Sequence, residues 1–313
     1  MPGPDAELAA FAAGSIAKGS KSFAAASRLF DPDTRQSVVM LYAWCRHCDD
    51  VVDGQDAGSA ARIQDARPPH ERIAALRADT HAAVTGEIAG RHPSFAALAH
   101  VVRRHDIPVS LLDEHLAGFE MDVAERTYRS LDDLMLYCWR VAGVVGVMMA
   151  RIMGVRDEAT LDRASDLGLA FQLTNIARDV VDDARAGRVY VPLDWLAEEG
   201  VASDGLTDPL NAAAVTRLRA RLVEAAENYY ASARIGIDAL PRRSAWAVGT
   251  AWGVYRLIGL RLVDAGESAF DRRISTTTTD KIRQIRAGAA MAFSRRGRSS
   301  PAERDALWTR PRL

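Results

Sequence analysis

Two aspartate pairs, Asp49/Asp53 and Asp179/Asp183, limit what this chain can fold into more than any other feature. Each pair has four-residue spacing inside an apolar stretch with helical periodicity. Residues four apart on a helix share one face, so each pair points two carboxylates the same way. Tyr42, Arg46, Asp49 and Asp53 form one stripe, at i, i+4, i+7 and i+11. Gln172, Asn175, Asp179 and Asp183 form a second, at i, i+3, i+7 and i+11. Leu41, Val51, Val52, Leu173, Ile176, Val180 and Val181 lie between these polar residues. Polar stripes on apolar helices face a cavity or each other; two solvated helix faces with chance acidic spacing are the alternative. Four facing carboxylates repel unless cations sit between them. Hard oxygen ligands favour Mg²⁺, which completes its shell with water and substrate phosphates. The stripes therefore predict a metal-diphosphate site with Asp49, Asp53, Asp179 and Asp183 as ligands. Asp50 and Asp182 sit about 100° round the helix from the stripes and are expected to matter less.

The rest of the chain reads as almost wholly helical. Apolar residues recur at threes and fours over Leu8–Ile16, Val38–Val52, Ile73–Ile88, Phe95–Val102, Leu111–Val123, Leu131–Met153, Leu161–Val181, Val215–Ile237 and Ala245–Val263. Asp31 and Pro32 read as the start of the first acidic helix. Strand signals are sparse, and 54–70 reads as a long loop. An all-α, single-domain bundle over residues 1–313 follows, with its core at about 16–290. With 313 residues and 48% hydrophobic content, one large core is feasible. The formal net charge of −1 gives no global field for nucleic acid.

No secretory leader is expected from the N-terminal residues, and no apolar run reaches membrane-span length. The longest candidate is Val141–Ala150. Cys45 and Cys48 lie mid-helix and read with Cys138 as packing thiols, which suggests a reducing cytoplasm. Residues 294–313 carry Arg295, Arg296, Arg298, Arg304, Arg310 and Arg312 against Glu303 and Asp305. This basic tail is expected to be flexible. With Arg286, Leu307 and Trp308 it is a candidate for loose contact with the inner face of the cytoplasmic membrane; a solvated tail is the alternative.

The ordered motifs resemble those of the squalene/phytoene synthase family. They are Gly19-Ser20-Lys21-Ser22-Phe23, Tyr42 to Asp53, Tyr137 to Gly146, Gln172 to Asp183, and Gly187-Arg188-Val189-Tyr190-Val191-Pro192. The likeness covers about Ile16 to Ile285 and is greatest to the bacterial phytoene-forming branch. Gly19 departs from it, where many relatives carry His. The resemblance implies an isoprenoid-synthase-type bundle with a central cavity. It implies a Mg²⁺-dependent prenyltransferase (Mn²⁺ a substitute) joining two geranylgeranyl diphosphates head to head, without NADPH, at the entry to carotenoid biosynthesis. Other pathway enzymes are candidate partners. It implies catalytic roles for Tyr42, Arg46, Tyr137 and the four aspartates, with Asn175 as a further metal ligand. It places Ser20, Ser22, Phe23, Val141, Ala142, Gln172, Asn175, Arg178, Tyr255 and Arg273 at the substrate, with Arg272 as the neighbouring alignment of the last. Small residues Ala24 to Ser27 and Val39 favour the twenty-carbon over the fifteen-carbon chain. The alternatives are a dehydrosqualene- or squalene-type synthase using farnesyl diphosphate, and a non-catalytic scaffold of the same family.

Overall fold

The first acidic helix begins at a side-chain cap. Asp31 accepts the Thr34 amide at 2.9 Å, and Pro32 follows with its φ already helical. This starts α3 (Pro32–Asp53), which closes at Gly54 in the left-handed conformation, φ 66°. The structure is a computed structural model describing residues 4–19, 21–56, 59–62, 67–294 and 304–313. Before α3 come α1 (Pro4–Gly19) and α2 (Lys21–Ser27). After it come α4 (Pro69–Thr85), α5 (Pro93–His105), α6 (Val109–Val123), α7 (Leu131–Cys138) and α8 (Val144–Ile152). The second half holds α9 (Glu158–Arg185), α10 (Leu193–Glu199), α11 (Ala212–Ala239), α12 (Arg242–Ala265) and α13 (Thr278–Phe293). The all-α architecture is as expected. The exception lies in the 54–70 loop, where Gln55–Asp56 and Ser59–Arg62 pair as a small antiparallel hairpin.

Two sub-bundles carry the two acidic motifs. α3 packs against α1, α4 and α5; Trp44 is fully buried there, its indole donating to Thr80 at 3.3 Å. α9 packs against α8, α11 and α12. Between α7 and α8 lies one π-helical stretch, Trp139–Gly143, inside what periodicity reads as one continuous helix. Glycines let this stretch approach α9 closely. A Cβ on Gly168 would lie 2.3 Å from the Ala142 carbonyl oxygen, and one on Gly146 would lie 2.3 Å from that of Ala164. Gly143 likewise faces Trp139, Ser165 and Leu169, so it is a packing residue.

Two expectations are corrected. The run Leu131–Ile152 is 22 residues and apolar enough to cross a membrane by length and composition, although 56% of its most apolar window is buried in the core. The described end of the tail is docked. Arg304 binds Asp166 with two hydrogen bonds, at 2.8 and 2.6 Å. Arg310 and Arg312 pair with Glu158 and Asp162. Leu307 and Trp308 pack on the core. These arginines do not wave in solvent, because α9 offers an acidic stripe that neutralises them. Arg295, Arg296, Arg298 and Glu303 lie outside the described residues.

Candidate active site

The stripes expected from the sequence are present on helices that are otherwise core, half-buried except at the exposed Asp53. On α3 the Arg46 guanidinium forks to Asp49 at 2.8 Å and to the buried Asp50 at 2.6 Å. Asp50 is thus an anchor for Arg46. Asp53, one turn beyond Asp49, accepts from Arg188 at 3.1 Å. Arg188 comes from the segment after α9, so this pair ties the two motifs together.

On α9, Asp179 is held by two guanidinium groups. Arg178 binds it through both carboxylate oxygens, the Nε contact at 2.8 Å. Arg273 does the same at 3.1 and 3.0 Å. Arg273 thus stands beside Asp179, whereas the Arg272 side chain makes no hydrogen bond or ion pair among the described residues. The Asp183 carboxylate makes no hydrogen bond or ion pair among the described residues, and Gln172 and Asn175 lie half-buried on the same helix. Among the described residues, no three acidic, histidine or cysteine side chains converge closely enough to hold a metal ion as they stand. Arginines stand beside three of the four aspartates.

The electrostatics show why counter-charge is needed. Burial, with Asp53 and Asp50 adding to it, pushes Asp49 up to about 6 against the pull of Arg46. Burial and the neighbouring Asp179 push Asp183 up to about 7, against Arg188 and Arg178. Carboxylates that hold their charge this poorly are relieved by a cation. The all-oxygen donor set is the kind that Mg²⁺ takes when phosphate completes its shell. The residues therefore fit such an ion.

Aromatic rings lie close to these charged groups. Tyr255 stacks on Phe171 with centroids 4.3 Å apart. Burial raises Tyr42 to about 12, opposed by Arg46, with Tyr255 also in its field. Tyr137 stacks on Tyr190 at 5.0 Å, and both hydroxyls donate to Asp122, at 3.1 and 2.9 Å. Val141 and Ala142 are half-buried in the π-helical stretch. Ser20 lies outside the described residues, as do the side chains of Ser22 and Phe23. Sequence reasoning assigned no role to Asp122, Arg188, Tyr190 or Tyr128. Arg188 and Tyr190 stand inside one of the quoted motifs; Asp122 had only its place near the end of an amphipathic helix.

The chain belongs to the squalene/phytoene synthase family, whose model matches residues 16–280. The 15-cis-phytoene synthase of Pantoea ananas is 53% identical over 296 residues, 95% of this chain and 96% of that protein. The 15-cis-phytoene synthase of Enterobacter agglomerans is 54% identical, over 94% of this chain and 99% of that one. A dehydrosqualene synthase solved with a ligand superposes with TM-score 0.80 at 26% identity, covering 91% of this chain and 96% of that one. The squalene synthase HpnC of Alicyclobacillus acidocaldarius shares the fold, with TM-score 0.73 at 22% identity over 86% and 97% of the two chains.

Proposed function

We propose that the chain is a phytoene synthase, condensing two geranylgeranyl diphosphates head to head through a cyclopropyl intermediate to 15-cis-phytoene, with release of two diphosphates. The observation that carries this is the 53% identity over 95% of the chain to a curated enzyme of that name. The paired carboxylate and guanidinium stripes supply a matching chemistry. Asp49, Asp53, Asp179 and Asp183, with Asn175, would hold Mg²⁺. Bound Mg²⁺ supplies stabilisation of the leaving diphosphate. Arg46, Arg178, Arg188 and Arg273 exchange a carboxylate partner for phosphate oxygens when substrate enters. Each is already held against the carboxylates that would bind the metal, so little reorganisation would be needed. Tyr42 and Tyr255 turn π faces to the allylic cation. Ser20, Ser22 and Phe23 belong to the second substrate, and Gln172, Val141 and Ala142 border the chains. The final cation loses a proton, so no NADPH is consumed.

The product is a long hydrocarbon handed to later carotenoid-pathway enzymes, and a cytoplasmic site at the inner membrane face suits it. The docked Arg304, Arg310 and Arg312 leave Arg286, Arg295, Arg296 and Arg298 as the basic groups for such contact. A second reading, a fifteen-carbon dehydrosqualene-type synthase, draws on the likeness to the solved enzyme of that kind. One experiment separates them. Purified protein is given geranylgeranyl or farnesyl diphosphate, with and without Mg²⁺ and NADPH, and the hydrocarbons are analysed. Phytoene from the C20 substrate with Mg²⁺ alone is expected. A preference for farnesyl diphosphate, or a requirement for NADPH, refutes the proposal.

A further inference from the structure

One carboxylate at the edge of the site has an arrangement that the diphosphate chemistry does not use. Asp122, on α6, receives the Tyr137 hydroxyl on one oxygen at 3.1 Å and the Tyr190 hydroxyl on the other at 2.9 Å. Tyr137 comes from α7, and Tyr190 from the segment after α9. The two rings stack with centroids 5.0 Å apart and planes 22° apart. Tyr128 completes the cluster, tilted by 44° to Tyr137 at 5.4 Å and near-parallel to Tyr190 at 6.2 Å. Its hydroxyl is buried and has no hydrogen-bond partner among the described residues. Arg188, which bonds Asp53, also lies in the field of Asp122, so this cluster adjoins the first metal-binding pair.

The direction of these hydrogen bonds matters. A phenol has one proton. Tyr137 and Tyr190 each give theirs to Asp122, and an ionised carboxylate can only accept. Both phenol oxygens are then left with lone pairs alone. They cannot donate to a diphosphate oxygen. Three clustered aromatic rings, two acceptor oxygens and one carboxylate make a region of negative potential, suited to a cation. We propose that Asp122 is a positioning residue for the cationic stage of the reaction: by taking one phenol proton on each oxygen it fixes Tyr137 and Tyr190 as an acceptor-only wall against the carbocation, and removes them from diphosphate binding. This inference rests on the prenyl-cation reading given under the proposed function.

The test compares Asp122→Asn, Tyr137→Phe and Tyr190→Phe with the parent, using geranylgeranyl diphosphate and Mg²⁺. Asparagine keeps the volume but offers one acceptor atom and two donor hydrogens, so one phenol loses its acceptor. The expected result for Asp122→Asn is a kcat lowered roughly 10- to 100-fold, with KM within about 3-fold. The product ratio shifts toward released cyclopropyl diphosphate and early alcohols. Adding Tyr137→Phe to Asp122→Asn costs less than in the parent, because the two act as a unit. Asp122→Glu, which keeps both acceptor oxygens, restores part of the parental product ratio. A purely structural role would lower melting temperature and activity together and leave the product ratio unchanged; that outcome overturns the proposal. A loss confined to KM overturns it too, by returning the tyrosines to diphosphate binding. Should Asp122→Asn fail to fold, the two Phe variants carry the test, and parental kcat and product ratio in both reject the idea. If the parent makes no head-to-head product, the functional reading itself has failed, whatever the variants do.

Discussion

Replacing Arg304 by Met tests whether the C-terminal segment is part of the folded core. Asp166 has no exposed side-chain surface and takes two hydrogen bonds from Arg304 and one from Ser232, at 2.5 Å. Methionine preserves much of the apolar stem but leaves the carboxylate with Ser232 alone. Removing one partner of a buried pair costs about 3–5 kcal/mol, because the other charge stays buried. Ser232 remains, and Asp166 can protonate, so the lower end, about 3 kcal/mol, applies. With 313 residues and ~2.1 cal/mol/K of unfolding entropy per residue, melting falls by about 4–5 °C. Burial already raises Asp166 above the usual carboxylate range, with Arg304 opposing the rise. Without Arg304 its folded value rises further above the unfolded one, so the deficit grows with pH and shrinks on acidification. Asp166→Asn on top of Arg304→Met removes the orphaned charge, and most of the loss returns. The assay is thermal unfolding by circular dichroism at several pH values. A melting point for Arg304→Met within about 1 °C of the parent at every pH would refute the reasoning and return the segment to a solvated tail.

Other consequences are open to direct measurement. Asp49→Asn and Asp179→Asn should abolish condensation with unchanged circular dichroism. Asp50→Asn should also lose activity, about 10-fold or more, because Asp50 anchors Arg46; parental kcat in that variant would count against the anchoring role. In the metal-free protein, Asp49 and Asp183 have folded values near 6 and 7, above the ordinary carboxylate value of 3.8. The folded state therefore holds protons that the unfolded state releases, and this contribution to stability is lost as pH rises from about 4 to about 7; Mg²⁺ should reverse the loss, read as a melting shift largest near neutral pH. Gly168→Ala should destabilise by about 1–3 kcal/mol, since its Cβ meets the backbone of Ala142 at 2.3 Å. Gly118→Ala, whose contact at 2.8 Å is the Val141 side chain, should be rescued by Val141→Ala; chemical denaturation of the single and double variants checks both.

Local sequence chemistry carried the acidic stripes but not their partners. Helical period alone puts Asp49 with Asp53 and Asp179 with Asp183, and Asp31-Pro32 starts α3 where its cap chemistry says it should. Arg188 and Asp122 reach the site by tertiary packing, and no period or spacing records which carboxylate an arginine from a distant segment will find. The π-helical stretch is hidden for a related reason: its residues keep the apolar rhythm of the flanking helices. Two further signals stand in the sequence itself. Thr277 and Asp280 form a capping box that starts α13. Glu158, Asp162 and Asp166 recur every four residues, an acidic stripe that matches the arginines of the tail. Composition marked those arginines as a flexible basic tail because it counts charges without their partners.

The packing of the π-helical stretch explains how these separate parts keep one geometry. Val141, within it, meets α6 at Gly118, and Ala142 meets α9 at Gly168. α6 carries Asp122 one turn beyond Gly118, and α9 carries Asp179 three turns beyond Gly168. One short stretch is thus pressed between the helix bearing the tyrosine-binding carboxylate and the helix bearing the second acidic motif. A backbone contact sets the spacing to α9, and backbone does not adjust by rotamer change; the spacing to α6 is set first by the Val141 side chain, with the Arg140 backbone behind it. Side chains at Gly118 or Gly168 would move a helix, and with it one wall of the site relative to the other. The small residues here therefore bear on the geometry of the two acidic helices as well as on stability. The same arrangement accounts for Val141 and Ala142 being half-buried while Gly143, the next residue, is committed to α9.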